Sequence, residues 1–95
     1  MTYLKVIWHH TFEDEPVELL SEIDADRGEV RKVERYRSGA LAFAGPTGAS
    51  GNTRLSETRI PAVMELAADP EFSPIEIDQA TFERAWRSAQ LEAAA

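Results

Sequence analysis

The densest cluster of potential metal ligands in the chain is His9-His10 followed by Glu13, Asp14 and Glu15. Imidazole and carboxylate together suit a borderline divalent ion. The spacing argues against such a site. On an extended chain adjacent side chains point to opposite faces, so the two imidazoles cannot chelate one ion without a local bend. They are the only histidines, and cysteine is absent, which leaves no further nitrogen ligand, thiolate or disulfide. One partly buried, hydrogen-bonded imidazole and one exposed imidazole are expected, with no metal and no cofactor.

Acid–base chemistry needs a carboxylate of raised pKa beside a histidine. Glu22 and Glu34 are the candidates, with His10 as the neighbour if the first strand lies alongside them. Both glutamates stand close in sequence to arginines and lysines that would keep them ionised and structural. Ser21, Ser50 and Ser56 lie in no G-x-S-x-G elbow, so no nucleophilic triad can be drawn. The stretch "GPTGASGNTR" holds three of the five glycines, and its amides with Arg54 could wrap an anion. It lacks the Gly-Lys-Ser/Thr ending of a phosphate-binding loop, so a mobile connector or an adaptable flap is expected instead. Trp8, Tyr36, Phe43, Phe72, Phe82 and Trp86 are assigned to the core, leaving Phe12 and Tyr3 as surface aromatics able to anchor an interface.

These groups must be positioned by a short series of elements. "TYLKVIWHH" alternates and is rich in β-branched and aromatic residues, which predicts a strand with Leu4, Val6, Trp8 and His10 facing the core. "VELLSEID" and "EVRKVERYR" form two further strands joined through Ala25-Asp26-Arg27-Gly28, with Gly28 supplying a positive φ. Acids crowd the first and cations the second. If Ala25 sits opposite Gly28, Glu18 faces Arg35, Leu20 faces Val33 and Glu22 faces Arg31, which turns that sorting into cross-strand ion pairs; a one-residue bulge at Gly28 would shift the pairing to other partners. "GALAFAG" reads as a short fourth strand after a Ser38-Gly39 turn. Pro61 opens and Asp69-Pro70 closes a short helix. The last element has Asp78 as N-cap, an Ile77–Phe82 staple, an apolar stripe of Phe82, Ala85, Trp86 and Ala89, and an outer Glu83–Arg87 pair; its terminal alanines are expected to fray. The expected architecture is a single α+β domain over residues 1–95: an antiparallel sheet of three or four strands with two helices packed on one face.

Trp8 with His10, "SEID", "EVRKVE", "LSETRIP", "EFSPIEI" and the terminal Phe82 and Trp86 resemble a small bacterial family of unknown function over nearly the whole chain. None of these motifs is a catalytic signature. The resemblance implies a free-standing bacterial cytoplasmic protein and assigns no catalytic or binding residue.

A net charge of -7 disfavours nucleic acid and anionic membranes and favours a basic protein partner. No segment has the length of a membrane span or the pattern of a signal peptide. The first functional reading is therefore a non-enzymatic, acidic protein-binding module. Glu13, Asp14, Glu15, Glu18 and Glu22 would steer the partner and Phe12 would anchor it. Immunity proteins that neutralise basic toxins offer an analogy. The competing reading is a small enzyme or metabolite-binding protein with its pocket between the sheet and the glycine-rich loop 45–54, using His10, Glu34, Arg54 and Ser56. The chain is expected as a monomer or a weak homodimer paired through an unprotected edge at the fourth strand.

Overall fold

The computed structural model covers residues 1–95. Strands β1 (Thr2–Trp8), β2 (Glu18–Ile23), β3 (Glu29–Arg35), β4 (Leu41–Gly45), β5 (Gly48–Ala49) and β6 (Phe72–Ile77) form one sheet in the order β5-β4-β3-β2-β1-β6. Every neighbouring pair is antiparallel. Helix α1 (Val63–Ala67) precedes β6, and α2 (Gln79–Ala94) follows it directly. No helix is long and apolar enough to cross a membrane. The α+β class and the antiparallel sheet match expectation, while the strand count is six.

The two additional strands have distinct causes. β5 comes from the glycine-rich stretch, which folds back through Pro46-Thr47 so that Ala49 pairs with Ala44 and Gly48 with Gly45. Ser50 extends the turn, donating its N–H to the Phe43 carbonyl at 2.9 Å and accepting the Phe43 N–H on its Oγ at 2.9 Å. The stretch is therefore a hairpin tied to the sheet rather than a free flap. β6 contains Pro74, which ordinarily argues against a strand. Here Pro74 sits opposite Val6 on the outermost strand, where its missing N–H interrupts no second ladder. Pro74 guards one edge of the sheet and the short β5 covers β4 at the other.

The β2–β3 register is the one the charges predict: Glu18 lies opposite Arg35, Leu20 opposite Val33 and Glu22 opposite Arg31. The turn differs. Asp24 pairs with Gly28 and leaves a three-residue loop, and a register shift next to Glu22 lets the ion-paired rungs stand. Arg27, at φ 66°, takes the left-handed position, and Gly28 does not. Gly28 is instead small because the Asp24 carboxylate folds over it, accepting its N–H at 2.8 Å; an added Cβ would meet Asp24 Oδ2 at 3.1 Å.

Both faces of the sheet are covered, and the helices lie on opposite sides rather than together. On one face α2 presents Phe82 and Ala89, both fully buried, to Tyr3, Leu20 and Val33, with Phe43 and Trp86 packed beside them. The Asp78 side chain caps this helix by accepting the Thr81 N–H at 2.8 Å, and Thr81, through its hydroxyl first and this amide second, holds the Asp78 carboxyl below the usual aspartate range. The helix runs to Ala94. Tyr3, expected at the surface, is buried, because alternation puts it under Phe82 at a ring-centroid distance of 5.4 Å. On the opposite face, Leu4 and Ile23 are buried beneath the segment from Thr53 through α1.

Candidate functional site

Three places bring polar or titratable groups together, and each is built differently. The first is an ionic knot under α2. Arg31 donates to both oxygens of Glu22, at 2.6 and 2.8 Å, and to both oxygens of Glu83, at 2.8 and 2.9 Å. Its guanidinium lies 5.0 Å from the ring centroids of both Phe82 and Trp86. Tyr3 adds a phenolic hydrogen bond to Glu22 at 2.9 Å. The bonds from Arg31 hold the Glu22 and Glu83 carboxyls below the ordinary glutamate range, and Arg31 is correspondingly harder to deprotonate. Burial, reinforced by the Glu22 hydrogen bond, pushes the Tyr3 phenol up. Two carboxylates share one guanidinium, and the hydrogen bonds to both pin the helix to the sheet. Glu83 thus faces inward to Arg31, not outward to Arg87.

Glu34 is equally satisfied. It accepts the Thr53 hydroxyl at 2.9 Å and the Tyr36 hydroxyl at 3.3 Å, with Lys32 Nζ 3.7 Å away. Burial, with the Glu34 charge next, raises the Tyr36 phenol. Glu18 is likewise engaged by Arg35 at 2.7 Å and Lys5 at 3.7 Å.

The second place is an open groove of about 430 Å³ at the far end of β1, lined by Trp8, Phe12, Glu13, Asp14 and Glu15. Trp8, His10 and Phe12 alternate along one side of the chain. Their rings form a continuous wall: Trp8 and His10 are tilted by 55° with centroids 4.2 Å apart, and His10 stacks on Phe12 at 5.4 Å. His10 is locked by the backbone on both sides. Its Nε2 is 2.7 Å from the Pro16 carbonyl oxygen, and its Nδ1 accepts the Phe12 N–H at 3.0 Å. A carbonyl only accepts and an amide N–H only donates, so these partners select the tautomer with its proton on Nε2. That arrangement closes residues 10–16 into a loop and turns Glu13, Asp14 and Glu15 toward the aromatic wall. All three acids are exposed, and no hydrogen bond or ion pair within the fold engages their carboxylates. Trp8 Nε1 is the one buried side-chain donor or acceptor lacking a partner within the fold.

The third place is a cleft of about 180 Å³ between β1–β2 and the segment from Ser56 to Leu66. Its walls include Leu4, Val6, Leu19 and Phe72, and its roof Ile60 and Leu66.

Of the binding residues expected from sequence, Phe12, Glu13, Asp14 and Glu15 come together in the groove. Glu18 and Glu22 do not; cross-strand arginines have taken them. The alternative set is dispersed. Ser56 lines the cleft. Glu34 is sealed by Thr53, Arg54 contributes its carbonyl oxygen to Lys32 at 2.8 Å, and His10 belongs to the groove loop. The cleft lies beneath residues 56–66, not beneath the loop 45–54. His9, on the other side of the strand from His10, bonds Ser73 Oγ at 2.7 Å, and no group of three or more His, Asp or Glu converges to hold a metal ion. Trp8, expected in the core from its alternation with Leu4 and Val6, is half-buried and shares a wall with His10 and Phe12.

A family model described as a domain of unknown function (DUF6881) matches residues 2–91. No curated protein and no solved structure matches the chain.

Proposed function

The chain belongs to the DUF6881 family, and from the groove beside Trp8 we propose an acidic protein-binding module that accepts a lysine or arginine side chain of a basic partner. The supporting observation is the pairing of an aromatic wall, Trp8 and Phe12, with three unengaged carboxylates around one concavity. A cation laid against the indole face gains about 0.5–2 kcal/mol depending on its desolvation. The carboxylates add charge-assisted hydrogen bonds and steer a positive surface toward the groove. The net charge of -7 acts in the same direction over longer range.

The test is a titration with an arginine-rich peptide, read by tryptophan fluorescence at low and high salt. The expected result is saturable binding that weakens at least tenfold in the Glu13→Gln/Asp14→Asn/Glu15→Gln variant and in Phe12→Ala. Binding indifferent to these substitutions and to salt counts against the reading. Affinity capture from the native cell at two salt concentrations then identifies the partner; recovery of no salt-sensitive basic protein would also reject it.

A further inference from the structure

We infer that the cleft under residues 56–66 is a second, separate site, and that it takes a compact, uncharged apolar molecule such as a single aromatic ring. The inference stands independently of the groove at Trp8.

The size and lining set the class of ligand. A volume of about 180 Å³ is comparable to the ~150 Å³ apolar cavity that holds benzene in an engineered protein. Leu4, Val6, Leu19, Leu66 and Phe72 supply apolar walls. The charged groups at one end are already spent on each other. Glu29 accepts the Ser21 hydroxyl at 2.6 Å and the Ser56 N–H at 2.8 Å, while Lys32 Nζ lies 3.7 Å from Glu29 and donates to the Arg54 carbonyl at 2.8 Å. The Glu29 side chain is 2% exposed. An anionic headgroup entering here would meet a buried carboxylate with no free cation, so fatty acids and small carboxylates are disfavoured. A neutral ring leaves every one of these bonds intact.

The roof explains why the cleft stays open. In a domain this small an apolar gap normally closes as side chains sink into it. Here Ile60 donates its N–H to the Arg27 carbonyl at 2.8 Å, and Arg27 returns two bonds, from Nε to the Ile60 carbonyl at 3.1 Å and from Nη2 to the Pro61 carbonyl at 2.6 Å. Arg27 makes them from a left-handed backbone, φ 66°, that a non-glycine residue rarely adopts. The strap is thus held at a set height above β1 and β2, and the site is preformed.

Amide chemical-shift titration of the full chain with indole, toluene and benzoate tests this. Indole and toluene should give saturable shifts at Leu4, Val6, Ile60 and Leu66, with benzoate at least tenfold weaker. At roughly ten times its Kd, a neutral probe should raise the melting midpoint by roughly 5–10 °C. Val6→Phe fills the cleft from the floor and Leu66→Phe from the roof; either one, folded, should abolish the shifts. Arg27→Gly keeps the turn conformation and the Ile60 N–H bond to its backbone carbonyl, removes the two side-chain bonds to the strap, and should weaken binding several-fold. Absence of saturable shifts with both neutral probes, benzoate binding as well as indole, or unchanged binding in a folded filled variant overturns the assignment. Concentration-dependent shifts at the same amides without any probe would assign the cleft to a second copy of the chain and overturn it equally.

Discussion

Replacing Arg31 by methionine isolates the ionic knot, because the methionine keeps an apolar stem against Phe82 and Trp86 and removes only the cation. Four hydrogen bonds to Glu22 and Glu83 are lost. The two carboxylates respond unequally. The Glu83 side chain is 35% exposed and can turn to water, whereas that of Glu22 is 8% exposed and remains between Tyr3 and the apolar underside of α2. The loss therefore falls on Glu22, and breaking a buried pair by removing one partner costs about 3–5 kcal/mol. A domain of this size has ~5–15 kcal/mol in all, so urea denaturation should show a large fall in midpoint with an unchanged slope. The pH dependence should invert. In the native protein Glu22 has a depressed pKa, so its contribution is complete above the unfolded value of about 4.3 and is lost as pH falls through the folded value. In Arg31→Met the isolated carboxylate has a raised pKa, and acidification stabilises the variant by neutralising it. The double variant Glu22→Gln/Arg31→Met removes both charges and should recover most of the loss. A cost below about 1 kcal/mol, or an acid dependence of unchanged sign, would refute the assignment of Glu22 as a buried, arginine-dependent anion.

Other regions give independent expectations. Gly45→Ala places a Cβ 2.8 Å from Trp86 Cη2 and should cost about 1–3 kcal/mol while altering the near-UV circular dichroism of that indole. Thr53→Val removes the hydroxyl that Glu34 accepts and should cost about 1–3 kcal/mol, measured by urea titration. Arg27→Gly relieves the left-handed strain and removes the two side-chain bonds to the strap while keeping the backbone one, so hydrogen exchange of the Ile60 amide should accelerate more than that of the β2–β3 ladder.

Much of the hairpin was legible in the chain because its determinants are local. The rungs Glu18–Arg35, Leu20–Val33 and Glu22–Arg31 follow from charges sorted on either side of one turn. The turn itself was misassigned: glycine is the usual left-handed residue, and nothing local indicates that Arg27 would take that conformation while its side chain reaches Ile60 and Pro61. β6 was missed because Pro74 and weak alternation disguise a strand whose partner, β1, lies at the other end of the chain. The groove was half legible. Phe12, Glu13, Asp14 and Glu15 are contiguous, so proximity in sequence carried over into space. Glu18 and Glu22 looked similar in composition and proved unavailable, since pairing along the sheet consumes them.

Periodicity, capping and cross-strand complementarity act over a few residues or one turn, so the fold class, the capped C-terminal helix and the ladder of opposite charges can be read along the chain. Which charges end up paired depends on long-range packing. Arg31 reaches Glu83 across 52 positions, and α2 and the 56–66 strap settle on opposite faces of the sheet. Burial and ion pairing arise from contacts remote in the chain, and they separate the carboxylates that hold the fold from those left unengaged at the surface.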